Sequence, residues 1–168
     1  MKLYLVQHGE AIAEAEDPER PLSAAGRADV GRLAAFLGNA NVAVVRIVAS
    51  GKLRARQTAD ALAGLLTRNG AVSEVMTGLR PGDTTEWLAD VAEQWRDDSL
   101  VVGHMPFLGK MTARLVTGRE DDDIVAFTPG TVVCLERQMV DKWSIAWVLA
   151  PMLLEGPAIE RDVRQTDR

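Results

Sequence analysis

Short apolar runs that stop at polar or glycine residues alternate along the chain with longer stretches of helical period. Leu3 to Val6 is an unbroken apolar run and reads as a strand buried on both faces. It stops at Gln7-His8-Gly9-Glu10, so the His8 imidazole falls at the carboxyl end of a strand, where open α/β sheets bind ligands. Ala13 to Leu22 is polar and reads as a loop over the top of that strand. Ser23 suits the N-cap of a helix with a Val30, Leu33, Ala34, Leu37 stripe that ends at Gly38. Val42 to Ala49 predicts a second buried strand, interrupted only by Arg46, and Lys52 to about Arg68 a second helix. Val72 to Met76 is a weak third strand, Leu79 to Asp83 a Pro-Gly loop, and Thr84 to Trp95 a helix. Leu100 to Val102 predicts a fourth strand that ends at Gly103-His104.

Pro106 fits the first turn of the next helix, whose stripe is Leu108, Met111 and Leu115. The acidic run Glu120 to Asp123 reads as a solvated loop. Thr131 to Glu136 and Trp143 to Leu149 read as final strands, the second with Trp143, Ile145, Trp147 and Leu149 on one face. From Leu154 the chain turns charged and loses its period. The expectation is one α/β domain over residues 1–153 with a mostly parallel sheet, and a charged tail or peripheral helix over 154–168.

Length and composition narrow the classes of function. The 168 residues suit a single domain, and 47% apolar content supports a substantial core. Net charge is −5, and the 19 Lys and Arg residues are scattered, so neither nucleic acid nor an anionic membrane is an expected partner. One cysteine, Cys134, excludes an intrachain disulfide framework and fits a reducing compartment. The four-residue N-terminal apolar run is too short for a signal peptide, and no stretch approaches membrane-spanning length. A soluble cytoplasmic protein is expected. Nothing in the chain specifies an oligomeric state.

The two histidines share a grammar. His8 follows LYLVQ and precedes Gly9; His104 follows LVVG and precedes Met105-Pro106. Either alone is readily a strand-end histidine satisfied by backbone groups. Together they should project over the same sheet edge, and SGKLRARQTA adds a helix start carrying Arg54. Two imidazoles, a guanidinium and the unsatisfied N–H groups of a helix N-terminus make a phosphate pocket. Other motifs fail on spacing. GHMPFLGK, Gly103 to Lys110, has five residues between its glycines and Met111 in place of a magnesium-binding hydroxyl. There is no H-E-x-x-H, no G-x-S-x-G, and no dinucleotide fingerprint among Gly26, Gly31 and Gly38. Asp121 to Asp123 is better read as a solvated loop than as a cation site, so no metal is expected.

At these residues the chain resembles the histidine phosphatase, or phosphoglycerate-mutase-like, superfamily, and within it the small SixA-type phosphohistidine phosphatases. The family's R-H-G corresponds to Gln7-His8-Gly9, and its R-P-L-[TS]-x-x-G to Arg20-Pro21-Leu22-Ser23 with Gly26. Its S-P-x-x-R-A-x-Q-T-A corresponds to Ser50 to Ala59, and its G-H-x-P to Gly103 to Pro106. Two positions depart from the pattern: Gly51 stands where the family usually has proline, and Gln7 where it has arginine.

The resemblance implies a three-layer α/β/α sandwich without the helical lid insertion of larger members. It implies a cofactor-independent phosphatase acting on a phosphohistidine-bearing protein or another phosphorylated substrate, through a phosphohistidine enzyme. In that scheme His8 is the nucleophile, Arg54 the phosphate-binding arginine and His104 a donor to a phosphoryl oxygen. Gln7, Gly9, Arg20 and Gly103 line the substrate, and Asp83 in the LRPGD loop is the candidate general acid, with Glu86 beyond it. The alternative is a phosphate- or phosphoprotein-binding module with weak or lost turnover, suggested by Gln7.

Overall fold

The computed structural model describes residues 1–67, 73–139 and 142–154. The apolar run at the N-terminus becomes β1 (Lys2–Gln7), with Leu3 to Val6 all buried. It lies inside a six-stranded sheet, parallel to β4 (Ser99–Gly103) on one side and antiparallel to β5 (Val132–Met139) on the other. Beyond β4 come β2 (Arg46–Ala49) and the short edge strand β3 (Glu74–Val75), and beyond β5 comes β6 (Lys142–Leu149). β1 to β4 pair in parallel and only β5 runs against the rest, the mostly parallel sheet that the alternating pattern predicts.

An unbroken apolar strand can feed two cores, because successive side chains point to opposite faces. Tyr4 and Val6 pack with α1 (Ala24–Asn39) and α2 (Leu53–Leu66). Leu3 and Leu5 pack with α3 (Glu86–Gln94) and α4 (Phe107–Thr117). The result is the three-layer α/β/α arrangement. Ser23 caps α1 by accepting from the Gly26 N–H at 3.0 Å. Gly118 ends α4 in a left-handed conformation (φ 77°), its N–H donating to the Arg114 carbonyl.

Several expectations need correction. Only Arg46–Ala49 of the second apolar run is strand; Val44 is buried but its N–H donates to the Leu66 carbonyl at the end of α2. Pro106 is the N-cap of α4 rather than a first-turn residue. Glu120 is not a solvated acid, since it accepts from Arg114 and Thr85 between α3 and α4.

β6 does not keep one apolar face. Cys134 pairs with Trp147 while Leu135 pairs with Ile145, so Ala146 is an extra residue that flips the alternation. Trp143 and Ile145 join the α3/α4 core, and Trp147 and Leu149 the α1/α2 core. The ends expected at Arg68 and Val72, and the tail after Leu154, lie outside the described residues. Leu154 itself closes a short 3-10 turn, Pro151–Leu154. No helix among the described residues is long and apolar enough to cross a membrane.

Candidate active site

The register of the central strands sets the site. Gln7 pairs with Gly103 across β1 and β4, so the next residues, His8 and His104, leave the sheet side by side at its carboxyl edge. The ring centroids lie 4.9 Å apart, tilted by 60°. The His8 N–H donates to the Gly103 carbonyl at 3.2 Å, and the Gln7 N–H to Thr131 at 3.0 Å. This backbone lattice fixes both histidines before any side-chain contact is counted.

Arg54 comes from the first turn of α2, where β2 hands the chain to the helix beside β4. It is only 9% exposed, and its Nε donates to Nε2 of His8 at 3.1 Å. Since that nitrogen must accept, the ring proton sits on Nδ1, which donates to the Gly9 carbonyl at 2.7 Å. One tautomer satisfies both bonds. Gly9 is held in turn, its N–H donating to the Thr58 hydroxyl at 3.1 Å, and Thr58 donating to the Arg54 carbonyl at 2.8 Å.

His104 is deeper, 2% exposed, and its Nε2 is hydrogen-bonded to the Ser50 hydroxyl at 2.5 Å. Its Nδ1 is buried without a partner. Burial is the main cause that holds both rings neutral. It pulls the His8 pKa down to about 4, against the opposing Gly9 carbonyl bond, with Arg54 and Arg20 adding to the fall. It pulls His104 down to about 3, with His8, Arg54, Lys52 and Arg20 adding to it. The Arg54 guanidinium is itself lowered, first by burial and then by Arg20, while Glu14 opposes.

The polar loop after β1 is pinned over the site. The Leu22 N–H donates to Gln57 Oε1 at 2.7 Å, and Ser23 Oγ donates to Glu10 Oε1 at 2.7 Å. Gly26 is forced: a Cβ there would lie 2.1 Å from the Glu10 carbonyl oxygen. The loop carries Arg20, at φ 49°, whose Nε reaches the Ile12 carbonyl at 3.4 Å. Arg20 and Arg54 share a cavity of about 380 Å³ with Glu14, Glu19, Lys52 and Arg80. Four cations against two carboxylates suit an anion.

The structure thus brings His8, Arg54, His104 and Arg20 together, and it places other residues differently. Gly9 makes room for α1 rather than for the imidazole, since a Cβ there would lie 2.7 Å from Val30 Cγ2. Gly103 is buried, and a Cβ on it would meet Leu108 at 3.0 Å, so its role is packing under α4. Asp83 is not among the residues lining the cavity; its Oδ2 accepts from the Arg80 N–H at 2.7 Å and closes the turn. Glu86 pairs with Arg114. The acids that do line the cavity are Glu14 and Glu19. Their signal in the sequence is only that the loop over the first strand is acidic. The Ser50 bond to His104 is foreshadowed by Ser50 and His104 each following a strand end. Among the described residues no group of three His, Cys, Asp or Glu side chains could hold a metal ion.

Comparison with known proteins agrees with this architecture. The chain is 25% identical over 160 residues to the phosphohistidine phosphatase SixA of Escherichia coli (strain K12), covering 92% of this chain and 97% of that protein. It is 35% identical over 130 residues to an uncharacterised protein of a Picosynechococcus strain, covering 71% of this chain and 75% of the other. Its fold superposes on a protein histidine phosphatase SixA complexed with tungstate with a TM-score of 0.82 at 23% identity, over 92% of this chain and 100% of the other. Residues 3–98, more than half of the chain, match the family model of this same group. The chain therefore belongs to the histidine phosphatase superfamily (branch 1), a membership that supports a phosphatase.

Proposed function

We propose that the protein hydrolyses a phosphohistidine borne by another protein, through a phosphohistidine formed on His8. The observation that carries this reading is the tautomer of His8. Its Nδ1–H is committed to the Gly9 carbonyl, and its Nε2 lone pair faces the Arg54 guanidinium. When a phosphoryl group arrives, Arg54 exchanges its bond to Nε2 for bonds to phosphoryl oxygens, a bidentate match for its planar fork. The freed lone pair attacks phosphorus in line, forming the Nε2–P bond as the bond to the leaving group breaks. His104 supplies a donor to another oxygen once its Nε2 leaves Ser50, and the cations around it offset the developing charge. Water then attacks phosphorus, and the P–Nε2 electron pair returns to His8.

What supports the substrate class is that neither acid offered by the segment after β3 is free to protonate a leaving group. Asp83 is committed to its turn and Glu86 to Arg114. A phosphoimidazole protonated on its other nitrogen leaves as a neutral imidazole and needs no general acid, whereas an alkoxide does. Only α3 lies between β3 and β4, with no inserted lid. A protein-borne phosphoryl group can therefore approach. That SixA takes tungstate, an oxyanion of phosphate shape, is in keeping with this reading.

A phosphoprotein-binding module without turnover is favoured by one observation, Gln7 beside His8, whose Oε1 is buried without a partner. Hydrolysis of an aryl phosphate by the wild type and by His8→Ala separates the two. Turnover lost in the variant, with label from quenched turnover mapping to the His8 peptide, is the expected result. Label on another residue, or undiminished turnover without His8, overturns the proposal.

A further inference from the structure

We infer that Lys52 and Arg80 form a second anion subsite beside the His8–Arg54 centre, selecting substrates that carry a carboxylate close to the phosphoryl group. The inference rests on the proposed reading of that centre. Lys52 precedes the first turn of α2, two residues from Arg54, and Arg80 follows β3. The two segments are drawn together where β3 lies against the β2–α2 turn: a Cβ on Gly51 would touch Val75 at 3.7 Å. Both cations line the cavity that Arg54 and Arg20 also line, and Arg54 joins that cavity to the histidines through its bond to His8.

Lys52 and Arg80 differ from the arginines that the fold ties up in ion pairs. Arg114 is held by Glu86 and Glu120, Arg119 by Asp122, and Arg32 by Asp29. No carboxylate pairs with Lys52 or Arg80 among the described residues. Of the two acids in the cavity, Glu14 acts on Arg54. Unpaired cations in a concave wall concentrate potential and draw anions. The phosphoryl group engages Arg54 and the histidines, and the histidines do not themselves line the cavity, so most of its roughly 380 Å³ lies beyond that group. The remaining space takes the leaving group, and the charge there fits a carboxylate on it.

The test uses two matched pairs. One is 4-(carboxymethyl)phenyl phosphate against its carboxamide, esters with similar leaving groups. The other is a phosphotyrosine peptide flanked by Glu against the same peptide flanked by Gln. For each pair kcat/KM is measured, and for the peptides also the affinity of the His8→Ala protein. Two exposed ion pairs favour the acidic member by roughly three- to tenfold, an effect that shrinks as salt rises. In Lys52→Gln/Arg80→Gln the acidic-to-neutral ratio falls to about one, and in Lys52→Glu/Arg80→Glu it inverts. Discrimination in both pairs places the recognised carboxylate on the leaving group itself; discrimination in the peptides alone places it on a flanking side chain. Equal kcat/KM and equal affinity within both pairs overturn the subsite. No turnover of any member, with the affinity difference intact, overturns the hydrolase reading and leaves the subsite standing.

Discussion

Arg54 donates through Nε to the same nitrogen of His8 that the proposed chemistry requires as nucleophile, at 3.1 Å. The bond does two things at once. It excludes a proton from Nε2, since two N–H groups cannot face each other there. It also ties the ring to the guanidinium that both bonds it and lines the cavity. The proposed nucleophile is thus kept neutral, and the guanidinium that holds it is well shaped to take phosphoryl oxygens.

The first prediction concerns titration. With His8 lowered to about 4 and His104 to about 3, neither ring should gain a proton between pH 8 and pH 5. Ring signals of the two histidines, assigned with single His→Asn variants, should move only below pH 5. Arg54→Gln removes a cation and leaves a neutral donor, so the His8 midpoint should rise. A wild-type midpoint near the ordinary 6.5 for His8 is incompatible with the burial and contacts described.

The second prediction is the matching stability. Both folded pKa values lie below the unfolded one, so from about pH 6.5 down to about 4 for His8 and about 3 for His104 the unfolded chain binds protons that the folded chain refuses. The contribution is present above pH 6.5 and is lost as pH falls through that window. Tm should therefore decrease from pH 7 to pH 5. The decrease should be smaller in His8→Asn/His104→Asn, which has nothing to protonate at these positions. An equal slope in the double variant assigns the effect to other groups.

Much of this was legible because strand grammar is local. An apolar run that ends in Gln-His-Gly, and another that ends in Gly-His, locate two imidazoles without tertiary information, and parallel pairing sets them together. What was not legible depends on contacts that leave no period. The extra residue Ala146 in β6 is set by pairing with β5, so an alternating reading of Trp143 to Leu149 misplaces half the strand. Gly9 looks permissive for the imidazole, yet the constraint comes from Val30, 21 positions on. Asp83 and Glu14 are both loop acids in the sequence, and only the folded turn shows which carboxylate is committed and which lines the cavity.

The third prediction concerns Ser50, a positioning residue for His104. Ser50 is 1% exposed, and among the described residues its hydroxyl is the one hydrogen-bond partner of the His104 ring, since Nδ1 is buried and unpaired. Ser50→Ala leaves a buried ring with both nitrogens unsatisfied, at a cost of about 1–3 kcal/mol. We expect kcat/KM for an aryl phosphate to fall by roughly tenfold or more, and the His104 ring signal to shift. Ser50→Thr, which keeps the hydroxyl, should recover most of the loss. If alanine and threonine behave alike, the hydroxyl is not what orients His104.

The last prediction concerns Gln7, where the family carries arginine. Its backbone is locked, with the N–H on Thr131 and the carbonyl accepting from Gly130, so a substitution acts through the side chain alone. Its Oε1 is buried without a partner, and thus the carbonyl half of the amide gains nothing from its place. An arginine there puts a full charge beside a phosphoryl group that carries nearly two negative ones. A charge-assisted hydrogen bond contributes about 1.5–3 kcal/mol and a neutral one about 1. The difference of roughly 1 kcal/mol corresponds to a several-fold to tenfold gain in kcat/KM if it is realised in the transition state. Gln7→Arg should therefore turn over an aryl phosphate faster and bind vanadate more tightly. The opposing effect is already in the structure: Arg20 acts on both histidines and on Arg54, and Lys52 acts on His104. If these cations supply the charge that position 7 lacks, the added arginine crowds them. A folded Gln7→Arg protein with no gain in either measurement would mean that Arg20 and Lys52 have taken over that role.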